Sequence, residues 1–256
     1  MGASVALTRG VSPAIASCEL THLARVAISL ERAREQHARY EEALESLGCR
    51  IVRLPPDPDL PDSVFVEDTA VVLDELAVIA FSGAPSRRGE RAAVAEALAP
   101  HREVVRMTGP GTLDGGDVLP LGRTLCVGLS SRTGPRGLEE LGRLVTPRGY
   151  EVLGVPVRGC LHLKSAVTQI GDGLLLANRS WVDPLPLEGF EVLDVDPEEP
   201  FAANALLVGD TVLHDAAHAR TRERMERRGI RVAPVDLSEL AKAEGGVTCC
   251  SLVFEG

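Results

Sequence analysis

Apolar residues fall along the chain in short paired runs, each pair joined by a tight turn and each opened by polar or charged residues. Phe65-Val-Glu-Asp-Thr-Ala-Val-Val-Leu is followed by Ala77-Val-Ile-Ala-Phe, and Leu113-Asp-Gly-Gly-Asp-Val-Leu by Thr124-Leu-Cys-Val-Gly. Leu161-His-Leu-Lys-Ser-Ala-Val-Thr-Gln-Ile turns at Gly171-Asp-Gly into Leu174-Leu-Leu-Ala, and Phe201-Ala-Ala-Asn-Ala-Leu-Leu-Val turns at Gly209-Asp into Thr211-Val-Leu-His. A fifth opening, Val247-Thr-Cys-Cys-Ser-Leu-Val-Phe, has no second run after it. With Asp68, Asp117, Lys164, Asn204 and Cys249 as markers, the steps are 49, 47, 40 and 45 residues, which is an internal repeat of hairpins.

Between the hairpins, helical spacing predicts helices over Leu30 to Leu47, Ser86 to Leu98, Gly137 to Leu144, Ala216 to Arg228 and Leu237 to Ala243. Single strands such as Arg50-Ile-Val-Arg-Leu, Glu103-Val-Val-Arg-Met, Glu151-Val-Leu-Gly-Val and Ile230-Arg-Val-Ala-Pro-Val close the units; the pattern is least regular from Asn178 to Pro200. No unit can bury its own strands, so the expected fold is a ring: a five-bladed pseudo-symmetric α/β propeller of ββαβ-type units, with residues 1–256 as a single domain. Ser4-Val-Ala-Leu-Thr is expected to supply the strand that the fifth unit lacks. A doubly wound α/β sheet is the competing architecture, but it needs single strands separated by helices rather than hairpin pairs.

Composition narrows the chemistry. Phe, Tyr and Trp number five, two and one, so the core must be Val, Leu, Ile and Ala, and no aromatic platform for stacking bases exists. Against 27 basic residues stand 37 acidic ones, a net charge of −10, which disfavours nucleic acid and suits a cationic small molecule. No apolar run approaches the length of a membrane span and the N-terminus lacks the features of a secretory leader, so the expected location is the cytoplasm. Cysteines at 18, 49, 126, 160, 249 and 250 then read as free thiols.

A ring would turn the polar openings of the units toward one centre. Asp114, His162 and Cys249 occupy equivalent places in different repeats and form a nucleophile, a general acid–base and an orienting acid once brought together. Glu67 and Asp68, with Asp62 just before them, offer carboxylates that match a planar guanidinium; on a strand at most one of the adjacent pair looks into a shared pocket unless the backbone bends. Arg87 and Arg132 follow the hairpins of their repeats and would bind an anion such as an α-carboxylate. His214-Asp-Ala-Ala-His218 has metal-ligand spacing, but with Asp for Glu and no third ligand it reads as an exposed helix start.

Leu60-Pro-Asp-Ser-Val-Phe-Val-Glu-Asp, Gly83-Ala-Pro-Ser-Arg-Arg, Thr112-Leu-Asp-Gly-Gly-Asp-Val, Val127-Gly-Leu-Ser, Leu161-His-Leu-Lys-Ser and Thr248-Cys-Cys-Ser closely resemble, in order, the dimethylarginine dimethylaminohydrolases of the guanidino-group-modifying superfamily. The resemblance implies hydrolysis of asymmetric dimethylarginine or monomethylarginine to citrulline and an amine, without metal or cofactor. It implies Cys249 as nucleophile, His162 as acid–base and Asp114 as the residue orienting it. Asp68, Glu67 and Asp62 would hold the guanidino nitrogens, Arg87 and Arg132 the carboxylate, and Leu20 and Ala243 would be lid and rim contacts. An arginine deiminase with the same trio and a non-catalytic guanidino-binding propeller are the alternatives. The expected partner is a small guanidino molecule, with no nucleic acid and no membrane, and a homodimer is one option for the assembly.

Overall fold

The computed structural model describes residues 4–182 and 189–256. In chain order the strands are β1 (Ser4–Arg9), β2 (Arg50–Leu54), β3 (Ala70–Val72), β4 (Leu76–Ile79), β5 (Glu103–Arg106), β6 (Val118–Leu121), β7 (Thr124–Leu129), β8 (Glu151–Pro156), β9 (Val167–Gly171), β10 (Leu174–Ala177), β11 (Glu191–Asp194), β12 (Ala205–Val208), β13 (Thr211–Asp215), β14 (Arg231–Val235) and β15 (Ser251–Glu255). They form five three-stranded sheets, β3-β4-β5, β6-β7-β8, β9-β10-β11, β12-β13-β14 and β15-β1-β2. In each sheet the first two strands pair antiparallel and the third joins parallel. This is the five-bladed α/β propeller expected from the repeat.

The parallel pairing forces a crossover, because two parallel strands cannot be joined by a tight turn. Helices α1 (Leu30–Ser46), α2 (Arg91–Leu98), α3 (Pro135–Val145) and α5 (Ala219–Arg227) lie in those crossovers; two one-turn helices, α4 (Leu163–Ala166) and α6 (Ser238–Ala241), precede the first strand of a sheet or the final turn. Ser29 caps α1 by accepting the Arg32 N–H, and Ala33, Gln36, Tyr40 and Leu44 recur on its buried face. The closing sheet forms as expected, with β1 against β15 in the register Ser4↔Glu255 to Thr8↔Ser251. The irregular stretch from Asn178 to Pro200 hides β11, a strand the apolar pattern misses; its residues 183–188 lie outside the described residues.

Strand periodicity explains why the apolar runs are continuous. Successive side chains point to opposite faces of a sheet, and in a ring each face meets a neighbouring blade. Ala77 and Ile79 pack toward β1 and α2, whereas Val78 between them packs with Leu125 and Val127 of the next sheet. Cys126 then joins Leu175 and Ala177, and Leu176 joins Val212. Leu213 and Ala6 complete the circuit with Tyr40 and Leu44. Every blade interface is therefore a separate small apolar cluster, which few aromatic residues suffice to fill.

The first strands surround an axial cavity of about 310 Å³, lined by residues of β3, β6, β9, β12 and β15. Among the described residues no helix is long and apolar enough to cross a membrane.

Candidate active site

Each unit's polar opening lies just before its innermost strand. Residues 66–69 and 115–117 form single 3-10 turns leading into β3 and β6; His162 is the extended N-cap residue of α4, which leads into β9. The openings of the first two units pack so closely that only glycine fits: a Cβ on Gly116 would stand 2.6 Å from Asp68 Oδ1 and 2.8 Å from His162 Nδ1. The Cys249 turn is anchored from outside the ring, where the Tyr40 hydroxyl lies 2.7 Å from both the Val247 carbonyl and the Ser251 hydroxyl.

Cys249, His162, Asp68, Asp62, Arg87 and Arg132 line one chamber of about 20 Å³, together with Ala243, Phe65, Leu161, Glu19 and Glu244. Inside it the imidazole is held between two acids, with Nε2 at 3.2 Å from Asp114 Oδ2 and Nδ1 at 3.6 Å from Asp68 Oδ1. Arg132 Nη1 stands 3.7 Å from Asp114 Oδ2 and is buried without a hydrogen-bond partner among the described residues, while Nη2 donates to Thr21 Oγ1 at 3.2 Å. The Gly246 N–H points at Cys249 Sγ from 3.3 Å. All six cysteines are unpaired, including the adjacent Cys249 and Cys250.

The charges set the protonation states. Burial opposes a charged His162, yet Asp68, Asp117 and Asp114 outweigh it and push its pKa up to about 9. Burial also works against the Asp114 carboxylate, but the hydrogen bond and charge of His162, with Arg87 behind them, bring it down to about 2. The two are an ion pair at neutral pH. Burial raises the Cys249 thiol well above its ordinary range, and the neighbouring Glu67 and Asp68 raise it further. Burial and the two acids thus favour the thiol form of Cys249, in a chamber that it shares with His162.

Not every expected residue faces this chamber. Asp62 does, and both its oxygens accept the Glu19 N–H, at 3.2 and 3.1 Å. Glu67 turns the other way, toward the axial cavity, where Lys164 Nζ lies 2.6 Å from one oxygen and the Thr248 hydroxyl donates to the other at 2.7 Å. Arg87 is saturated: it pairs with Asp68, binds Glu90 through Nε and Nη2 at 3.0 and 2.8 Å, and donates to the Phe65 carbonyl at 3.0 Å. Leu20 is half-buried against the α1 core cluster, and its neighbour Glu19 lines the chamber instead. Ala243 is on the rim.

His214 corrects the expectation of an exposed helix start, since it lies in β13, fully buried, with Nε2 at 2.9 Å from the Ala202 carbonyl. His218 caps α5, so the pair never shares a helical face. Among the described residues, Asp68, Asp114 and His162 are the one group close enough to share a metal ion. Each of those carboxylates already has cationic partners in the chain itself, Arg87 and His162 on Asp68, and His162 and Arg132 on Asp114.

Sequence reasoning passed over three side chains that shape the site. Asp117, fully buried, accepts the Leu163 N–H at 2.9 Å and the Ser130 hydroxyl at 2.6 Å, which fixes the start of α4. Thr248 links Glu67 to the Cys249 turn. Glu244 accepts the backbone N–H groups of Thr21, His22 and Leu23 at 3.1, 2.5 and 2.7 Å, and so clamps the segment over the chamber. The repeat already marked Asp117; nothing in the sequence distinguishes Glu244, whose φ is +60°.

No protein-family model matches the chain. Among curated proteins it is 41% identical over 253 residues to the N(G),N(G)-dimethylarginine dimethylaminohydrolase of Streptomyces coelicolor, covering 98% of this chain and 97% of that one. Among solved structures it is similar to the Pseudomonas aeruginosa enzyme in a Cys-to-Ser mutant complexed with citrulline, with a TM-score of 0.94, 32% identity, and 99% and 100% of the two chains covered. A dimethylarginine dimethylaminohydrolase His-to-Gly adduct with S-methyl-L-thiocitrulline matches with a TM-score of 0.93, 33% identity and the same coverage.

Proposed function

This chain belongs to the dimethylarginine dimethylaminohydrolase family, and from that premise we propose that it hydrolyses Nω,Nω-dimethyl-L-arginine, and Nω-methyl-L-arginine, to L-citrulline and the methylated amine. The observation that carries the reading is one chamber lined by a thiol, an imidazole between two acids, and carboxylates suited to a guanidinium.

The chemistry follows from the charges. A guanidinium entering beside Asp68 and Asp62 offsets the negative charge that holds the Cys249 proton on, so the thiol releases its proton to solvent as the cation binds. The thiolate adds to the guanidinium carbon, forming a C–S bond. His162, already protonated, gives its proton to the departing amine as the C–N bond breaks, leaving an S-alkylthiouronium on the sulfur. Neutral His162 then takes a proton from water and hydroxide adds to the same carbon; the C–S bond breaks with its electron pair going to sulfur, and the hydroxyl proton passes to that thiolate, releasing citrulline and restoring the Cys249 thiol. Asp114 holds the imidazole and its charge throughout.

Arg132 takes the substrate carboxylate, a role supported by its buried Nη1, which makes no hydrogen bond and has only the longer ion pair with Asp114. Arg87, committed to Asp68 and Glu90, acts through the wall it builds and through its long-range charge. Glu67 acts from the axial side, by holding Thr248 next to the nucleophile. A chamber of about 20 Å³ holds roughly one water. Cys249, Leu161 and Glu244 also line a second cavity of about 320 Å³, and a lift of the segment around Glu19 and Leu20 from Asp62, Arg132 and Glu244 would enlarge the chamber to substrate size.

The five units act as one domain, residues 1–256, a reading supported by the fifth sheet, which is built from both ends of the described chain. Six free thiols support a reducing, cytoplasmic location. Citrulline formation from arginine, monomethylarginine and dimethylarginine, measured side by side, tests the function: turnover of the methylated substrates is expected, and turnover of arginine alone would overturn it.

A further inference from the structure

The fourth unit gives no side chain to the chamber, yet its opening carries Asn204 at the repeat position that in the other units holds Asp68, Asp117, Lys164 and Cys249. The cysteine and the imidazole stand on the fifth and third units, so the fourth lies between them.

Asn204 spans that gap with its amide. Oδ1 accepts the Thr248 N–H at 3.1 Å, while Nδ2 donates to the Thr248 hydroxyl at 2.9 Å and to the Lys164 carbonyl at 3.1 Å. The orientation of the amide is fixed, because a backbone N–H must meet its oxygen and a carbonyl its nitrogen. Thr248 directly precedes Cys249, and Lys164 lies in α4, which His162 caps. The same amide shapes the turn behind the sulfur: a Cβ on Gly246 would stand 2.4 Å from Asn204 Oδ1, and it is the Gly246 N–H that faces Sγ.

We propose that Asn204 is a positioning residue for the reaction, fixing the Cys249 turn relative to the helix that carries His162. The inference rests on the reading of Cys249 and His162 as nucleophile and acid–base. Asparagine suits the role because it presents an acceptor and two donors at one point. Alanine offers neither, and aspartate would set its oxygen against the Lys164 carbonyl. A purely architectural Asn204 would alter melting temperature alone; a positioning one must alter the chemistry of the sulfur.

The test compares the parent chain with Asn204→Ala and Asn204→Asp in two measurements. In steady-state turnover of dimethylarginine, kcat should fall about 100-fold in both variants, with KM changed by no more than about threefold. Independently of turnover, the pH midpoint for iodoacetamide alkylation of Cys249, followed by peptide mass, should rise by about one unit in Asn204→Ala as the Gly246 N–H loses its aim at the thiolate. Asp62, Asp68, His162, Arg132 and Glu244 line the chamber with the sulfur, and Glu67 acts on it from the axial side, in parent and variant alike, so that shift reports the turn. A folded variant with parental kcat and an unmoved midpoint overturns the proposal, and Asn204→Asp decides it, by kcat, should the alanine variant fail to fold. If the parent makes no citrulline, the functional reading fails by itself and the alkylation midpoint still decides the role of Asn204.

Discussion

Asp114 Oδ2 stands 3.2 Å from His162 Nε2, so the acid of the second blade and the imidazole of the third meet as a buried ion pair. With Asp68 at 3.6 Å on the other ring nitrogen, the imidazolium has an anion on each side.

The pair gives turnover a defined alkaline limit. Because the His162 proton is the one delivered to the amine, kcat/KM for dimethylarginine should decline as pH rises through about 9. Asp114→Asn removes one raising charge, so this limit should move to lower pH, as read from pH–rate profiles of the two proteins. In stability the sign is the same. A histidine pKa raised from 6.5 to about 9 on folding contributes in full below 6.5, and that contribution is lost as pH rises through 9.

Asp117 separates positioning from charge. Burial lifts its pKa to about 6 despite the nearby His162, and it alone satisfies the Leu163 N–H. Asp117→Ala should lower unfolding free energy by about 1–3 kcal/mol in urea titrations, the cost of an orphaned buried donor. Asp117→Asn keeps an acceptor for Leu163 but removes an anion near His162, so it should shift the alkaline limit of turnover downward with a smaller loss of stability.

Glu244 governs closure. Its carboxylate holds three consecutive amides of the covering segment, and Glu244→Ala releases all three. Amide hydrogen exchange at Thr21, His22 and Leu23 should speed up by about tenfold or more, with protection in β4 and β7 unchanged.

Arg132 should discriminate substrates by their carboxylate. Arg132→Ala is expected to raise KM for dimethylarginine by about 30- to 100-fold, the value of a charge-assisted pair. The same variant should bind the analogue lacking the carboxylate about as the parent does; steady-state kinetics with both compounds checks this.

The ring was legible because a polar opening and a hairpin recur at similar steps, and burial of both faces of every sheet makes each run continuously apolar. β11 escaped because a four-residue outer strand bounded by Glu191 and Asp194 is only half-buried at its centre and carries little apolar signal. The trio Asp114, His162 and Cys249 was legible because each lies in the polar opening ahead of its unit's first strand. Side-chain direction was not: Glu67 and Asp68 lie in a 3-10 turn that sends one to the axial cavity and the other to the chamber. Arg87 looked like an anion binder because its partner Glu90, three residues on, becomes a neighbour only once Pro85–Gly89 forms a 3-10 turn of its own. The Glu244 clamp depends on a left-handed backbone at a non-glycine residue, which no local pattern announces.

The central claim is that the sulfur of Cys249 attacks the guanidino carbon. The most direct measurement is peptide mass analysis of the protein acid-quenched during turnover of dimethylarginine, beside the citrulline output of Cys249→Ser. The account predicts a substrate-derived adduct on the Cys249 peptide and no citrulline from the folded serine variant. Citrulline released by that variant at the parental rate, with no adduct on the parent peptide, would contradict it.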